Sequence, residues 1–286
     1  MNYITSKENE EELLHIQCAA RYTFNRAEYE NYVVWICCLL ATLLPWFSPY
    51  FKENYLSYAS ACLQLMAFVI ALQLEKRVHT AAHLRNYFDS YVLGIDHSSY
   101  SKHQIDEIRI LSTELVRRHA KWSQIQIENT GSDTPPGVRN WYEVSDDLSP
   151  RDAIYECQRQ NWWWENELAK DKLRAVAVCM LFVLVLLSLS YYFVRPTIIT
   201  VLTSFTGLLT QSVTRFIAYW KNERISHKIE GAVETIAESH AKANEEHLQH
   251  LINERREILV LGFNHLYRKK CKQLTELYRS SFITVR

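Results

Sequence analysis

Residues 175–194, AVAVCMLFVLVLLSLSYYFV, form a run of 20 residues without a charged side chain. A helix rises about 1.5 Å per residue, so a run of this length can cross a hydrocarbon core about 30 Å thick. Three further charge-free windows of similar length occupy residues 31–51, 54–74 and 196–214. Because 22% of the chain is charged, such windows seldom arise by chance. The sequence therefore predicts four transmembrane helices, with four buried helices of a soluble α-protein as the alternative.

The four windows come in two close pairs. Only Lys52 and Glu53 separate the first pair, and Arg195 alone separates the second. Pro45 and Pro196 lie close to these separators, and proline interrupts helices and marks turns. The predicted fold class is an all-α integral membrane protein, with four transmembrane helices as two hairpins plus a helical cytoplasmic domain.

Lysine and arginine concentrate on one side of the predicted hairpins. The basic residues that flank the windows there are Arg21, Arg26, Lys76, Arg77, Arg85, Lys170, Lys172, Arg174, Arg215, Lys221, Arg224 and Lys228. The opposite side carries only Lys52 and Arg195. The positive-inside rule therefore places both termini and the large polar segments in the cytoplasm. The acidic start MNYITSKENEEE does not resemble a cleavable signal peptide.

These assignments divide the chain into five segments. They are a cytoplasmic N-terminal helix (1–30), transmembrane hairpin 1 (31–74), a cytoplasmic helical region (75–174), transmembrane hairpin 2 (175–214) and cytoplasmic C-terminal helices (215–286). Within the third segment, residues 128–151 hold three of the six prolines and two of the six glycines, which predicts a loop. Ser149 then caps a predicted helix that has Pro150 at its first position and continues into the third window. For residues 215–286, the spacing fits either one long helix or a helical hairpin.

The sequence lacks several common catalytic signatures. It contains no glycine-rich phosphate loop, no GxSxG and no HExxH motif. We therefore predict a protein without enzymatic activity, catalytic residues, a metal site or a cofactor. The alternative is a membrane metalloenzyme that uses His79 and His83 of HTAAH, which lie one helical turn apart. The 32 basic and 32 acidic residues give a net charge of zero, so we expect neither DNA nor RNA as a partner.

The fourth window carries small and polar residues on one face of the predicted helix. Spaced by three or four positions, these candidates for lining a pore are Thr200, Ser204, Gly207 and Gln211, and Gln64 of the second window joins them. Such a face can line a wet path when several copies assemble, which predicts a homo-oligomer in the lipid bilayer. The alternative is close helix packing through small residues and interhelical hydrogen bonds.

Aromatic, cationic and amide side chains concentrate before the third window. The candidates for ligand contact are Trp141, Tyr142, Arg151, Arg159, Asn161 and Trp164. Aromatic planes stack on nucleobases, guanidinium groups clamp phosphates and amides bind base edges. The alternative is a packed collar where the helix enters the membrane, since tryptophan favours that depth. Because three consecutive tryptophans cannot share one helix face, at least one of residues 162–164 serves packing.

Three segments of the sequence carry a family resemblance. They are NYITSKEN (2–9), LLHIQCAARYTFNRAE (13–28) and NWYEVSDDLSPRDAIYECQRQNWWWENELAKDKLR (140–174). Together with the two predicted hairpins, they resemble the SMODS-associating four-transmembrane effector family over nearly the whole chain. Two mild departures are Asn140 and Glu165, which stand where members of that family often carry aspartate.

The resemblance implies a pore-forming effector of bacterial cyclic-oligonucleotide antiphage signalling (CBASS). A cyclic di- or trinucleotide, made by a nucleotidyltransferase of the same operon, is then the expected activating ligand. The effector is expected to breach the bacterial inner membrane, so that the infected cell dies before phage is released (abortive infection). A channel or scaffold without nucleotide gating is a further alternative.

Overall fold

The computed structural model describes residues 2–50, 55–194, 198–239, 242–260 and 264–283. These ranges are helical almost throughout and contain no β-strand. Their α-helices, in chain order, are α1 (Tyr3–Glu8), α2 (Glu11–Leu43), α3 (Tyr55–Leu93), α4 (Lys102–Arg118), α5 (Ala120–Glu128), α6 (Pro150–Val194), α7 (Ile198–Ser239), α8 (Lys242–Glu257) and α9 (Asn264–Tyr278). Short 3₁₀ turns occupy Leu44–Tyr50 and His97–Ser99, and a π turn occupies Arg279–Ile283. The predicted all-helical class is confirmed at this level.

Four of the helices join an apolar window to a polar extension. α2 runs from Glu11 into the first window, and α3 continues the second window as far as Leu93. α6 begins at Pro150 and passes through the third window, while α7 extends beyond the fourth to Ser239. The predicted segment boundaries therefore fall inside continuous helices. A displacement at one end of such a helix can reach the other end without crossing a flexible joint.

The start of α6 follows from its local sequence. The Ser149 hydroxyl accepts a hydrogen bond from the backbone N–H of Asp152 at 3.3 Å. Pro150 lacks an N–H, but the first turn of a helix has no intrahelical use for that donor. The prediction that Ser149 opens this helix is confirmed, and the loop before it spans residues 129–149.

The apolar windows of α2, α3, α6 and α7 pack against one another. The buried residues that they share are Val34, Cys37, Cys38, Ala67, Val183, Leu186, Phe205 and Leu208. Other apolar side chains of the same windows point outward: Phe68 is 60% exposed and Leu181 is 62% exposed. Soluble proteins rarely expose large apolar side chains at so many neighbouring positions, so this surface is suited to lipid.

Three helical segments of the described ranges are long and apolar enough to cross a membrane. They are Glu11–Phe47, Tyr55–Leu93 and Pro150–Tyr192. The fourth window, residues 196–214, does not add a further one within those ranges, and it is richer in threonine and serine. The turns predicted at residues 52–53 and 195–196 lie outside the described residues. The fourth span and the pairing into two hairpins therefore stay predictions.

The remaining helices and the polar extensions form what we call the extramembrane body, residues 2–30, 75–174 and 215–283 in their described parts. One buried cluster joins α1, α2 and α3 around Tyr87 and receives Tyr142 from the loop and Cys157 from α6. A second cluster joins α7 to α8, with Ile229 and Leu248 fully buried. Of the two possibilities for the C-terminal region, α7 and α8 form the helical hairpin.

Candidate ligand-binding site

A cavity of about 600 Å³ opens in the extramembrane body. Side chains from α2, α3, α6, α8 and α9 line it, together with residues of the loop 129–149. Small-molecule sites in proteins usually measure about 300 to 1,000 Å³, so the cavity is large enough for an organic ligand. We call it the central cavity.

Four of the six predicted ligand-contact residues line the central cavity. They are Trp141, Tyr142, Asn161 and Trp164. The two predicted arginines do not line it. Arg151 is an exposed partner of Glu245 at 3.5 Å, which links α6 to α8. Arg159 is largely buried and pairs with Glu156 one helical turn away.

A buried polar network around Asp89 supports the cavity wall. The Asp89 side chain is inaccessible to solvent, and its carboxylate forms an ion pair of 2.7 Å with Arg256. The same carboxylate accepts hydrogen bonds from the Tyr142 hydroxyl at 2.6 Å and from Gln249 at 3.2 Å. Asn161 donates to the Tyr142 hydroxyl oxygen at 2.9 Å. The network therefore ties α3, the loop, α6 and α8 together.

This network engages two of the predicted ligand residues. Tyr142 is 2% exposed and its ring stacks on Phe88, with ring centres 6.3 Å apart. Burial, with the nearby Asp89 carboxylate, raises the pKa of Tyr142 well above its ordinary value. Tyr142 and Asn161 are therefore structural parts of the cavity wall. Only those of their atoms that face the cavity can contact a ligand.

The three consecutive tryptophans of α6 point in different directions, as a helix requires. Trp162 packs on the cluster between α7 and α8. Trp163 contacts Tyr278, with ring centres 5.3 Å apart. Trp164 meets the edge of Trp163 at 6.1 Å and lines the cavity. The prediction that at least one tryptophan serves packing is confirmed.

Sequence reasoning missed the cationic side chains of the cavity wall. The arginines and the lysine that line it are Arg21, Arg85, Lys172, Arg255, Arg256 and Arg279. A signal was present for two of them. Arg85 follows Val78 and Ala81 on the buried face of α3, and Arg255 follows Leu248 and Ile252 on that of α8. An arginine at an apolar position of an amphipathic helix indicates a buried charge, and therefore a candidate site.

Most of these cations already have acidic or backbone partners. Arg279 forms an ion pair of 2.7 Å with Glu143, and Lys172 lies 3.4 Å from Glu165. Arg256 pairs with Asp89, as described above, and Arg21 donates to the Gly137 carbonyl at 2.7 Å. Arg85 and Arg255 differ, because each keeps a buried nitrogen without a hydrogen-bond partner and neither forms an ion pair within the described ranges, although Arg255 also donates to the Asn161 carbonyl.

The predicted pore stripe packs inside the bundle of apolar windows in this single chain. Ser204 is buried, and its carbonyl accepts a hydrogen bond from Thr42 at 3.0 Å. A Cβ atom on Gly207 would lie 3.3 Å from Cys38 Sγ and 3.5 Å from Gln64 Cγ, so α7 approaches α2 and α3 closely there. The Gln211 side-chain oxygen is buried without a hydrogen-bond partner in the described part.

The Thr200 side chain, also predicted in this stripe, lies outside the described residues. The contacts of the other members are those expected for close helix packing. Their role as the lining of a pore stays a prediction, because a pore would need copies of the chain beyond this one.

Arg215 connects the bundle of apolar windows to the wall of the central cavity. It is 3% exposed and follows directly after the fourth window. Its guanidinium donates to the Asn31 side chain at 2.7 Å, where the first window begins, and to the Leu259 carbonyl at 3.1 Å. The neighbours of Leu259, Ile258 and Val260, both line the cavity. A change in this part of the wall can therefore reach the start of the first apolar window and the end of the fourth.

His79 and His83 are both exposed on α3. His83 contacts the ring of Tyr100, with ring centres 5.7 Å apart. No third histidine, cysteine, aspartate or glutamate of the described ranges joins them in a group that could hold a metal ion. The described structure thus adds nothing to the alternative of a metalloenzyme.

Comparisons with known proteins agree with the resemblance seen in the sequence. No curated protein and no solved structure matched the chain. A family model described as the SMODS-associating 4TM effector domain matches residues 2–273. This match includes the apolar windows, the loop, α6 and α8, and therefore nearly the whole cavity wall. The chain is thus a multi-pass membrane protein that belongs to the family of SMODS-associating 4TM effector domains.

Proposed function

We propose that the chain is a non-enzymatic effector that a cyclic di- or trinucleotide switches on, and that it then breaches the membrane. The nucleotide would come from a nucleotidyltransferase encoded in the same operon, in keeping with the name of the family. The effector acts in the bacterial inner membrane during antiphage defence of the CBASS type, and its activity kills the infected cell.

The observation that carries this proposal is the chemical character of the central cavity. Tryptophans 141 and 164 and the cations Arg85 and Arg255 line the same space of about 600 Å³. A nucleotide needs an aromatic surface for its base and a cation for its phosphate. Both requirements meet in one cavity, away from the apolar windows.

Ligand binding can act on the membrane part because the cavity wall and the windows share helices. α2, α3 and α6 each contribute to both, and Arg215 adds hydrogen bonds between the cavity-lining segment 258–260 and the start of the first window. A ligand shifts such an equilibrium only through its different affinity for the resting and active states. A hundredfold preference corresponds to about 2.7 kcal/mol, which a few new hydrogen bonds to charged groups can supply.

In the active state, four transmembrane helices per chain assemble as two hairpins in a homo-oligomer, with both termini in the cytoplasm. The stripe of Thr200, Ser204, Gly207 and Gln211, with Gln64 opposite, would then turn from the bundle interior toward water. Ions would leak through the assembly, because polar side chains would then line a water-filled path through its interior.

Reconstitution tests this proposal directly. The purified full chain in dye-loaded liposomes of phosphatidylethanolamine and phosphatidylglycerol should release dye only after a matching cyclic nucleotide is added. Expression without the nucleotidyltransferase should be tolerated by cells. Release without any nucleotide would instead indicate an ungated channel, and no release with any cyclic di- or trinucleotide would contradict the proposal.

A further inference from the structure

We propose that Arg85 and Arg255 form a phosphate-binding subsite in the central cavity, and that it takes the two phosphodiesters of a cyclic dinucleotide. This inference rests on the proposed function, since it assigns the ligand contacts of the same cavity. It also replaces Arg151 and Arg159, the arginines that the sequence pattern favoured.

Arg255 is a buried cation with unused hydrogen-bonding capacity. It is 5% exposed, and one of its terminal nitrogens donates to the Asn161 carbonyl at 3.3 Å. The other terminal nitrogen, Nη1, is buried without a hydrogen-bond partner in the described ranges. A buried cation without a carboxylate in direct contact carries a desolvation cost of several kcal/mol, so such a group is seldom kept for stability alone.

The Arg255 guanidinium remains charged at neutral pH. Burial is the main cause that lowers its pKa to about 10; the Glu165 carboxylate opposes this effect, whereas the charges of Arg256 and Arg85 add to it. A pKa of about 10 still leaves the group protonated in the cytoplasm. The cavity therefore holds a positive charge that nearby carboxylates do not neutralise by direct contact.

Arg85 supplies the second available cation. Its guanidinium lies over the ring of Trp141, 4.2 Å from the ring centre, and its Nε is buried without a hydrogen-bond partner in the described part of the chain. Burial, together with the positive charge of Arg256, lowers the pKa of Arg85, while Asp89 acts in the opposite direction. This contact with the Trp141 ring limits the positions of the guanidinium, so a bound phosphate would meet a preorganised donor.

The contrast with Arg256 and Arg279 identifies these two arginines as the subsite. Arg256 and Arg279 have direct carboxylate partners at 2.7 Å in Asp89 and Glu143. An incoming phosphate would have to compete with those carboxylates. At Arg85 and Arg255 it would instead meet two cations with which no carboxylate of the described ranges forms an ion pair, although the charges of Asp89 and Glu165 act on them from a greater distance.

The charge and the size of the site favour a cyclic dinucleotide as occupant. Two available cations match two phosphodiester charges, and guanidinium binds phosphate oxygens in bidentate fashion. The indoles of Trp141 and Trp164 line the same cavity and offer surfaces for the bases. A volume of about 600 Å³ lies within the range of small-ligand sites.

The test compares three variants of the full chain purified in detergent. Arg85→Gln and Arg255→Gln each remove one cation from the cavity, while Arg151→Gln removes an exposed arginine outside it and is the matched control. Binding is measured as the rise in unfolding temperature with cyclic di-AMP, cyclic di-GMP, cyclic GMP–AMP and cyclic tri-AMP. We expect one cyclic dinucleotide to stabilise the wild type and Arg151→Gln equally. Arg85→Gln and Arg255→Gln should bind it at least about tenfold more weakly, since each loses a charged hydrogen bond.

A second pair of variants guards against misfolding as the explanation. Arg85→Met and Arg255→Met replace a buried unpaired charge by an apolar chain of similar length, which is often neutral or stabilising. We expect their unfolding temperatures without ligand to be no lower than that of the wild type, while the rise caused by the dinucleotide is lost. Lower unfolding temperatures together with retained binding would indicate structural arginines and overturn the subsite.

The remaining outcomes separate this inference from the proposed function. A wild type that responds to a dinucleotide, with Arg85→Gln and Arg255→Gln responding like Arg151→Gln, overturns the subsite but not nucleotide gating. A response to cyclic tri-AMP alone overturns the assignment to a dinucleotide. A wild type that no cyclic nucleotide stabilises or activates contradicts the proposed function itself. Arginine-dependent stabilisation by phosphatidylglycerol nanodiscs without a nucleotide response would assign the subsite to lipid headgroups instead.

Discussion

The bundle of apolar windows and the central cavity differ in how far their buried polar groups have hydrogen-bond partners. In the bundle, hydroxyl groups donate to backbone carbonyls: Thr42 bonds to Cys38 at 2.9 Å and Ser204 at 3.0 Å, and Ser60 bonds to Ala41 at 2.8 Å. In the cavity, Arg85 and Arg255 keep buried donors without hydrogen-bond partners in the described ranges. These hydroxyl groups of the bundle thus have partners within the chain, although Trp46 Nε1 and the Gln211 side-chain oxygen have none in the described ranges, whereas the cavity leaves charged donors without partners.

The difference follows from the surroundings of each region. Lipid offers no hydrogen bonds, so a polar group among apolar helices must find its partner within the chain. A cavity outside the membrane can take its missing partner from a soluble ligand. In the proposed function, this difference corresponds to a resting state that is closed in the membrane and can bind an anion in the cavity.

Asp89 connects the elements of the cavity wall, so its replacement should have the largest effect on the cavity. Asp89→Asn should lower the free energy of unfolding by about 3 to 5 kcal/mol, because it leaves the buried Arg256 guanidinium without its carboxylate. Chemical unfolding in detergent, followed by tryptophan fluorescence, measures this loss. Asp106→Asn, at an exposed position of α4, is the control and should change stability little. Equal effects of the two substitutions would mean that the Asp89 network does not support the wall.

A pH titration tests a second buried polar group near the cavity that lacks a hydrogen-bond partner within the described ranges. Glu8 is 1% exposed; one of its carboxylate oxygens accepts the Tyr142 N–H at 2.9 Å, and the other has no partner in the described ranges. Burial raises the pKa of Glu8 from 4.5 to about 8, although the hydrogen bond from Tyr142 acts in the opposite direction. The folded state therefore holds a proton that the unfolded state releases as the pH rises from about 4.5 to 8.

Stability should consequently fall across that pH range, by up to about 1.4 kcal/mol per pH unit from this group. Glu8→Gln keeps the shape of the side chain but cannot ionise, so it should flatten the fall and raise stability at pH 8. The exposed Glu254→Gln serves as the control, and unfolding temperatures between pH 5 and 8.5 are the measurement. If Glu8→Gln left the pH profile of the wild type unchanged, Glu8 would be ionised in the folded protein.

Substitutions of two glycines in α7 test how closely α7 packs against α2 and α3. Gly207→Val should destabilise the protein by about 1 to 3 kcal/mol, because a larger side chain must push against Cys38 and Gln64. Gly231→Ala, in the same helix with open space around its Cβ position, should stabilise by about 0.5 to 1 kcal/mol. Thermal unfolding of both variants in detergent measures the difference. A Gly207→Val variant as stable as the wild type would mean that α7 is free to move away from α2 and α3.

Gln211 is one of the bundle residues without a complete set of partners: its side-chain oxygen, like Trp46 Nε1, is buried without a hydrogen-bond partner within the described ranges. Gln211→Leu should leave the stability of the resting state within about 1 kcal/mol, because it removes no hydrogen bond of that oxygen. If the stripe faces water in the active state, nucleotide-triggered dye release should fall severalfold. Thr210→Val, at a neighbouring exposed position of α7, is the control. Unchanged release would remove Gln211 from the predicted pore.

The sequence predicted much of the fold but only part of the site. The course of α6 from Ser149 into the third window was correct because capping and apolar runs are local signals. Trp141, Tyr142, Asn161 and Trp164 were placed in one region because they are close in sequence and flank the start of α6. Arg151 and Arg159 were included for the same reason, yet they point to Glu245 and Glu156 instead of the cavity.

What the sequence determined by itself was the set of apolar windows and the helical class. A membrane requires each spanning segment to be long, uncharged and internally hydrogen-bonded, and these properties can be read from consecutive residues. Only the tertiary structure showed that Arg85 and Arg255 line one cavity with Trp141, and that Asp89 pairs with Arg256 in its wall. α3, the loop 129–149 and α8 are far apart in the chain, and whether a buried charge finds a partner depends on which elements pack together.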